Sequence, residues 1–197
     1  MSASEFLDRV FPHVGELSTS RFSFEAWRHA GRPTNEGVGR LPGVSVDVDA
    51  FAARVMDIGH YRGNIDYVEE SRAVDGPEHA PPQAVRFYQR IKVPVLGAIQ
   101  MELVLTDFGE RDGYRVLAWH QQDPATRALN PRQGARTDYN LGAWLIRPDA
   151  VAYALSSAPR RDDVGRLKFA ALTKGADAGA ASMVKANIEG MIAWSKR

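Results

Sequence analysis

Between Gln83 and Thr106 apolar and polar positions alternate in two consecutive runs, Val85, Phe87, Ile91 and Val93, then Ile99, Met101, Leu103 and Leu105. A period of two predicts strands that each bury one face. Such faces need a covering layer, and the chain ends in one. From Ala178 to Arg197, Ala181, Val184, Ile188, Met191 and Ile192 recur at helical spacing and form a single apolar stripe. The pattern predicts a curved antiparallel sheet closed over a C-terminal helix, an arrangement that leaves room for a cavity.

The remaining pattern extends this picture. Ser4 is placed to cap a short N-terminal helix whose Phe6, Val10 and Val14 share a face, with Pro12 ending or bending it. Ala30 to Gly43 is rich in Gly, Pro and Asn and reads as loop, leading into a strand at Val44 to Val48. Asp49 stands where an N-cap belongs before Phe51, Ala52, Val55 and Met56, and Gly59 stops that helix. Ile65 to Val74 reads as strand, and Asp75 to Pro82 as a rigid loop. Asp112-Gly113 predicts a hairpin into Tyr114 to Gln121, and Pro148-Asp149 a tight turn between Arg136 to Ile146 and Val151 to Ser156. Leu167 to Thr173 and Ala178 to Ser195 read as two helices. The expected class is α+β with about seven strands, arranged as an extension over 1–40 and one domain over 41–197.

Composition narrows the possible functions. At 197 residues one domain with a substantial core is expected. With 25 basic and 24 acidic side chains, the net charge of +1 supplies no field for nucleic acid. The absence of cysteine removes disulfides, thiolate catalysis and Cys-type metal sites, and fits a reducing compartment. Met1 to Val10 carries Glu5, Asp8 and Arg9 and does not read as a signal peptide. A soluble, cytoplasmic protein is expected.

Several segments resemble the START-like superfamily, also called SRPBCC or helix-grip, which includes polyketide cyclases and lipid-transfer proteins. Val46 to Asp57 resembles its first strand entering a helix, and Asp57-Ile58-Gly59-His60-Tyr61 the acidic-to-aromatic junction that follows. Asn140-Leu141-Gly142-Ala143-Trp144-Leu145-Ile146-Arg147-Pro148 resembles the Gly-x-Trp strand, and Val151-Ala152-Tyr153 the start of the last strand. The likeness covers roughly Leu41 to Arg197. It implies a helix-grip fold holding a hydrophobic small molecule or lipid between sheet and C-terminal helix. No cofactor is expected. It carries over no catalytic set.

Strand parity nominates the lining. Phe87, Ile99, Met101 and Leu103 face the helix stripe of Val184 and Ile188, and Gln89 lies among them as a polar exception. Trp119 is placed inside and His120 outside because Leu117 with Trp119 outweighs Val116 with Ala118. Trp144 and Ile146 carry Asn140 inward, although Tyr139, Leu141 and Leu145 form a competing face, and Tyr153 shares a side with Val151 and Leu155. Gln89, Asn140 and Tyr153 would then be polar anchors in an apolar site. The leading reading is carriage or sensing of such a ligand, and the alternative is a polyketide cyclase or aromatase using the same cavity.

Other clusters have plainer explanations. Asp57 and His60 have a spacing compatible with two metal ligands but suit a helix end better, so no metal is expected. Arg86, Tyr88, Arg90 and Lys92 read as a solvated outer face of their strand. Arg160, Arg161, Arg166 and Lys168 near the expected pocket mouth point to transient membrane contact, diluted by Asp162 and Asp163. Gly175 and Gly179 weaken the helix there and suggest a hinge.

Overall fold

The computed structural model describes residues 2–93, 96–123, 125 and 129–197, with the backbone alone over 171–178. The order is α1 (Ala3–Glu16), β1 (Ser23–Trp27), β2 (Glu36–Pro42), α2 (Val48–Met56), a 3-10 turn (Ile58–His60) and β3 (Val68–Ala73). Then follow β4 (Ala84–Val93), β5 (Gly97–Arg111), β6 (Tyr114–Gln121), β7 (Ala135–Arg147), β8 (Ala150–Pro159), α3 (Arg161–Val164) and α4 (Arg166–Ser195). The eight strands form one curved sheet in the order β1-β2-β8-β7-β6-β5-β4-β3, each antiparallel to its neighbours in that order, with a short parallel contact of β5 to β7 at Ile99 and Ala135.

The strand count exceeds the expected seven because the N-terminal edge differs. Glu36–Pro42, expected as loop, is β2, and Val44–Asp47 is not strand. Gly37 and Gly39 look like loop residues, yet each is required by close packing. A Cβ at Gly39 would lie 2.5 Å from the Val184 Cγ1 of α4, and one at Gly37 would lie 2.6 Å from the Phe24 ring. Residues 1–40, read from the sequence as an extension, supply α1, β1 and most of β2. The caps move as well: Ser2 and Glu5 form a capping box on α1, and Asp47 accepts from the Ala50 amide at 3.0 Å to start α2. Pro12 lies within α1, and 166–195 is a single helix. Among the described residues no helix is long and apolar enough to cross a membrane.

Each face of the sheet carries its own layer. On the convex side Phe6, Leu7, Val10 and Val14 of α1 pack on Val38, Val116 and Leu145, where Ala118, Ala143, Ala152 and Ala154 let the helix approach closely. Arg9 and Glu36 anchor it: the guanidinium donates to both carboxylate oxygens at 2.8 and 2.9 Å, and Trp27 Nε1 donates at 3.2 Å. Burial alone would raise the Glu36 pKa, but Arg9 outweighs it and the group sits below the usual carboxylate value. On the concave side α2 and the second half of α4 seal one end of the core, with Phe51, Val55, Leu117, Ile146 and Val151 all inaccessible or nearly so. Tyr61, whose hydroxyl donates to the Val55 carbonyl, packs edge-on against Trp194 of α4.

The outer face of β4 is not uniformly solvated as its alternation predicts. Arg86 is buried and donates to Glu102 of β5 at 2.6 Å and to the Pro77 carbonyl at 3.1 Å, because the segment after β3 folds back over it. On the neighbouring strand Gln100 donates to the Asn130 and Gly134 carbonyls, so the loop before β7 reaches over β5 in the same way.

Candidate functional site

The register brings the expected lining residues to one end of the concave face. Gln89 lies opposite Met101, Leu103 opposite Gln121, Trp119 opposite Gly142, and Gly142 opposite Leu155. Residues directly opposite in an antiparallel pair point to the same side, so Gln89, Met101, Trp119 and Leu155 share the side of Phe87 and α4. Asn140 also faces inward, and its competitors Leu141 and Leu145 pack under α1. Trp119 is inside. His120 is on the other face, 3.2 Å from Glu78.

This end differs from the sealed end in how fully its residues are covered. Ile99, Met101 and Leu103 form a buried floor, whereas Gln89, Ile91, Gln121, Asn140, Tyr153 and Leu155 around it are only partly buried. These residues lie on the concave side that α4 covers, and α3, which leads into α4, is tied to β7 through the Arg136–Asp163 pair at 2.8 Å. Phe87, Val184, Ile188 and Trp144, also expected in the lining, are buried in the packed core.

The polar groups here are neutral and largely mutually satisfied. Trp119 Nε1 donates to Asn140 Oδ1 at 2.8 Å, while the Asn140 amide points its Nδ2 at Met101 Sδ, 3.1 Å away. Thr137 donates to the Gln121 side chain at 2.5 Å and its carbonyl accepts in return at 3.1 Å. Burial pushes the Tyr153 phenol above its usual pKa, opposed by a hydrogen bond with Asn187 of α4. The Tyr153 ring stands 4.5 Å from Trp144 and 5.5 Å from Trp119. Gly142 makes this cluster possible, since the Trp119 indole lies where its Cβ would be.

Ser71, Gln121 and Asn187 are absent from the sequence-based lining. Gln121 has the parity of Leu117 and Trp119, and Asn187 follows Val184 by three positions, so both were available as polar interruptions of apolar patterns. Ser71 depends on cross-strand register with Gln89, which no local pattern reveals.

Two further features lie away from these residues. An open cleft of about 400 Å³ beside α2 is bordered by Asp49, Asp57, Pro81, Pro82, Asp107 and Arg115, and none of the expected lining residues borders it. Its Asp107 and Arg115 pair at 2.5 Å. Asp57 terminates α2 and bonds His60 at 2.7 Å, as a helix end requires. On the convex side His13, Glu16 and Glu25 bring donor atoms within 4.8 Å of one another. His13 stacks on Trp27 and bonds Glu25 at 2.8 Å, which ties α1 to β1.

The same architecture occurs in solved structures. The crystallised fragment of a STAR-related lipid transfer protein from Xanthomonas axonopodis superposes with a TM-score of 0.72 at 14% identity, covering 92% of this chain and 97% of that one. Human STARD10 gives 0.70 at 12% identity, covering 95% and 79%. Human StAR-related lipid transfer protein 5 gives 0.66 at 8% identity, covering 99% and 98%. The chain therefore has the START-like helix-grip fold. No family model matches the sequence, and no curated protein matches it.

Proposed function

We propose that the partly covered end of the concave face, on the side that α4 covers, forms a hollow that holds a hydrophobic small molecule or lipid, for carriage or sensing. The observation carrying this reading is that inward-facing residues are incompletely covered at one end of a core whose other end is sealed. The likeness to lipid transfer proteins supports it. None of the inward residues that carry this reading, Gln89, Ile91, Gln121, Asn140, Tyr153 and Leu155, is acidic, basic or histidine, so the amides and phenol orient a ligand rather than exchange protons with it near neutral pH. The cysteine-free composition fits a cytoplasmic protein.

Exchange of the ligand uses transient contact with an anionic bilayer at the start of α4. Leu167 is 88% exposed between the exposed Arg166 and Lys168, while Asp163 and Arg160 are paired with Arg136 and Asp138. Salt-sensitive sedimentation with phosphatidylserine vesicles, lost in Leu167→Glu, checks this contact.

Native mass spectrometry of the purified protein, followed by solvent extraction, tests the binding reading. A bound mass released as a lipid or apolar metabolite supports it. An empty protein that also takes up no N-phenyl-1-naphthylamine refutes it.

A further inference from the structure

We infer that the ligand of this hollow is uncharged and carries a hydroxyl or carbonyl that sits over Ser71 and Gln89. The inference rests on the proposed binding reading and narrows it to a chemical class.

Ser71 Oγ is buried and makes no hydrogen bond among the described residues. It belongs to the concave side, because Ser71 lies opposite Gln89 and Gln89 opposite Met101. A buried hydroxyl without a partner is unfavourable, and a bound group that donates or accepts there relieves it. Gln89, next to it and only partly buried, presents an amide that can donate and accept. Elsewhere on this face the polar side chains already have partners: Asn140 with Trp119, Gln121 with Thr137, and Tyr153 with Asn187. The place for a ligand's polar group is therefore the β3–β4 side of the hollow.

The same strands determine why that group is neutral. Their charges lie on the other face, where Glu70 stands opposite Arg90, and Arg72 lies over the Tyr88 ring opposite it. Arg90 pairs there with Glu69 at 3.2 Å. A carboxylate or phosphate placed at Ser71 would lose its water and meet no counter-charge from β3 or β4, whereas a hydroxyl would lose little. The floor below, Ile99, Met101 and Leu103, accepts the apolar remainder.

Three molecules with one chain length separate the terms: dodecane, dodecanol and dodecanoate, each competing with N-phenyl-1-naphthylamine for the full-length protein at about pH 8, where the acid is ionised. Dodecanol should displace the probe at about 5-fold lower concentration than dodecane, from one neutral hydrogen bond, and at least about 10-fold lower than dodecanoate, from the cost of burying its charge. Near pH 4, where much of the acid is neutral, dodecanoic acid should approach dodecanol. Ser71→Ala should erase most of the alcohol's advantage over the alkane and leave dodecane unchanged, with circular dichroism confirming the fold. Equal or tighter displacement by dodecanoate at about pH 8, or an alcohol-to-alkane ratio unaltered in Ser71→Ala, overturns the inference and leaves apolar binding standing. Failure of all three ligands and the probe to bind overturns the binding reading itself.

Discussion

Gly142→Ala tests the packing that shapes the candidate site. Gly142 lies on β7 beneath the Trp119 indole, and an added Cβ would stand 1.9 Å from Cζ2, 2.4 Å from Cη2 and 2.5 Å from Cε2. Three ring atoms lie within that range, so a small rotation cannot relieve the contact and the whole indole has to move. Overpacking of this kind costs about 1–3 kcal/mol. Moving the indole also breaks its 2.8 Å bond to Asn140, whose loss adds about 1 kcal/mol. The expected destabilisation is roughly 2–4 kcal/mol. At roughly 2–4 °C per kcal/mol for a domain of this size, the Tm should fall by about 5–15 °C. Urea denaturation followed by tryptophan fluorescence measures it, and near-UV circular dichroism should report the altered indole environment. Adding Trp119→Ala should return part of the loss, because the methyl then has space, so the two changes should be strongly non-additive. A Gly142→Ala protein with unchanged Tm and near-UV spectrum would refute the contact.

Arg9→Met leaves Glu36 buried without its guanidinium and should cost about 3–5 kcal/mol at neutral pH by chemical denaturation. The paired Glu36 has a lowered pKa, so its contribution is present above the carboxylate's ordinary 4.5 and fades as pH falls through the lower folded value. Arg9→Met should reverse that trend, since the unpaired group titrates upward and the variant gains relative to wild type on acidification. Gly39→Val forces α4 away from β2, and hydrogen exchange should accelerate over 184–192; unchanged protection would place the helix crossing elsewhere. Leu155→Trp, at a partly buried concave position, should reduce N-phenyl-1-naphthylamine uptake by filling the hollow while the Tm changes by less than about 3 °C. Undiminished uptake would move the binding site away from β8.

What could be read from sequence alone was local and periodic. The alternation through β4 and β5 placed Phe87, Met101 and Leu103 on one face, since period-two burial is written into neighbouring positions. Asp112 and Gly113 announced their hairpin, and both adopt the positive φ that its tight turn requires. The apolar stripe around Val184 and Ile188 located the covering helix for the same reason.

What tertiary structure alone decided depended on partners distant in the chain. Glu36–Pro42 resembles loop because its glycines answer to Phe24 and to Val184 of a helix nearly 150 positions away, a demand no local window contains. Arg86 has the parity of a solvated residue, and only the segment folding back through Pro77 makes it a buried partner of Glu102. Asn140 was placed inward with Trp144 and Ile146 against a competing face of Tyr139, Leu141 and Leu145, and the competition ended only because α1 occupies the convex side and packs on Leu141 and Leu145. Ser71 became a candidate ligand contact only through strand register. Periodicity determines which residues share a side; the packing of distant elements determines which side is covered, which is left partly open, and which polar group is left without a partner.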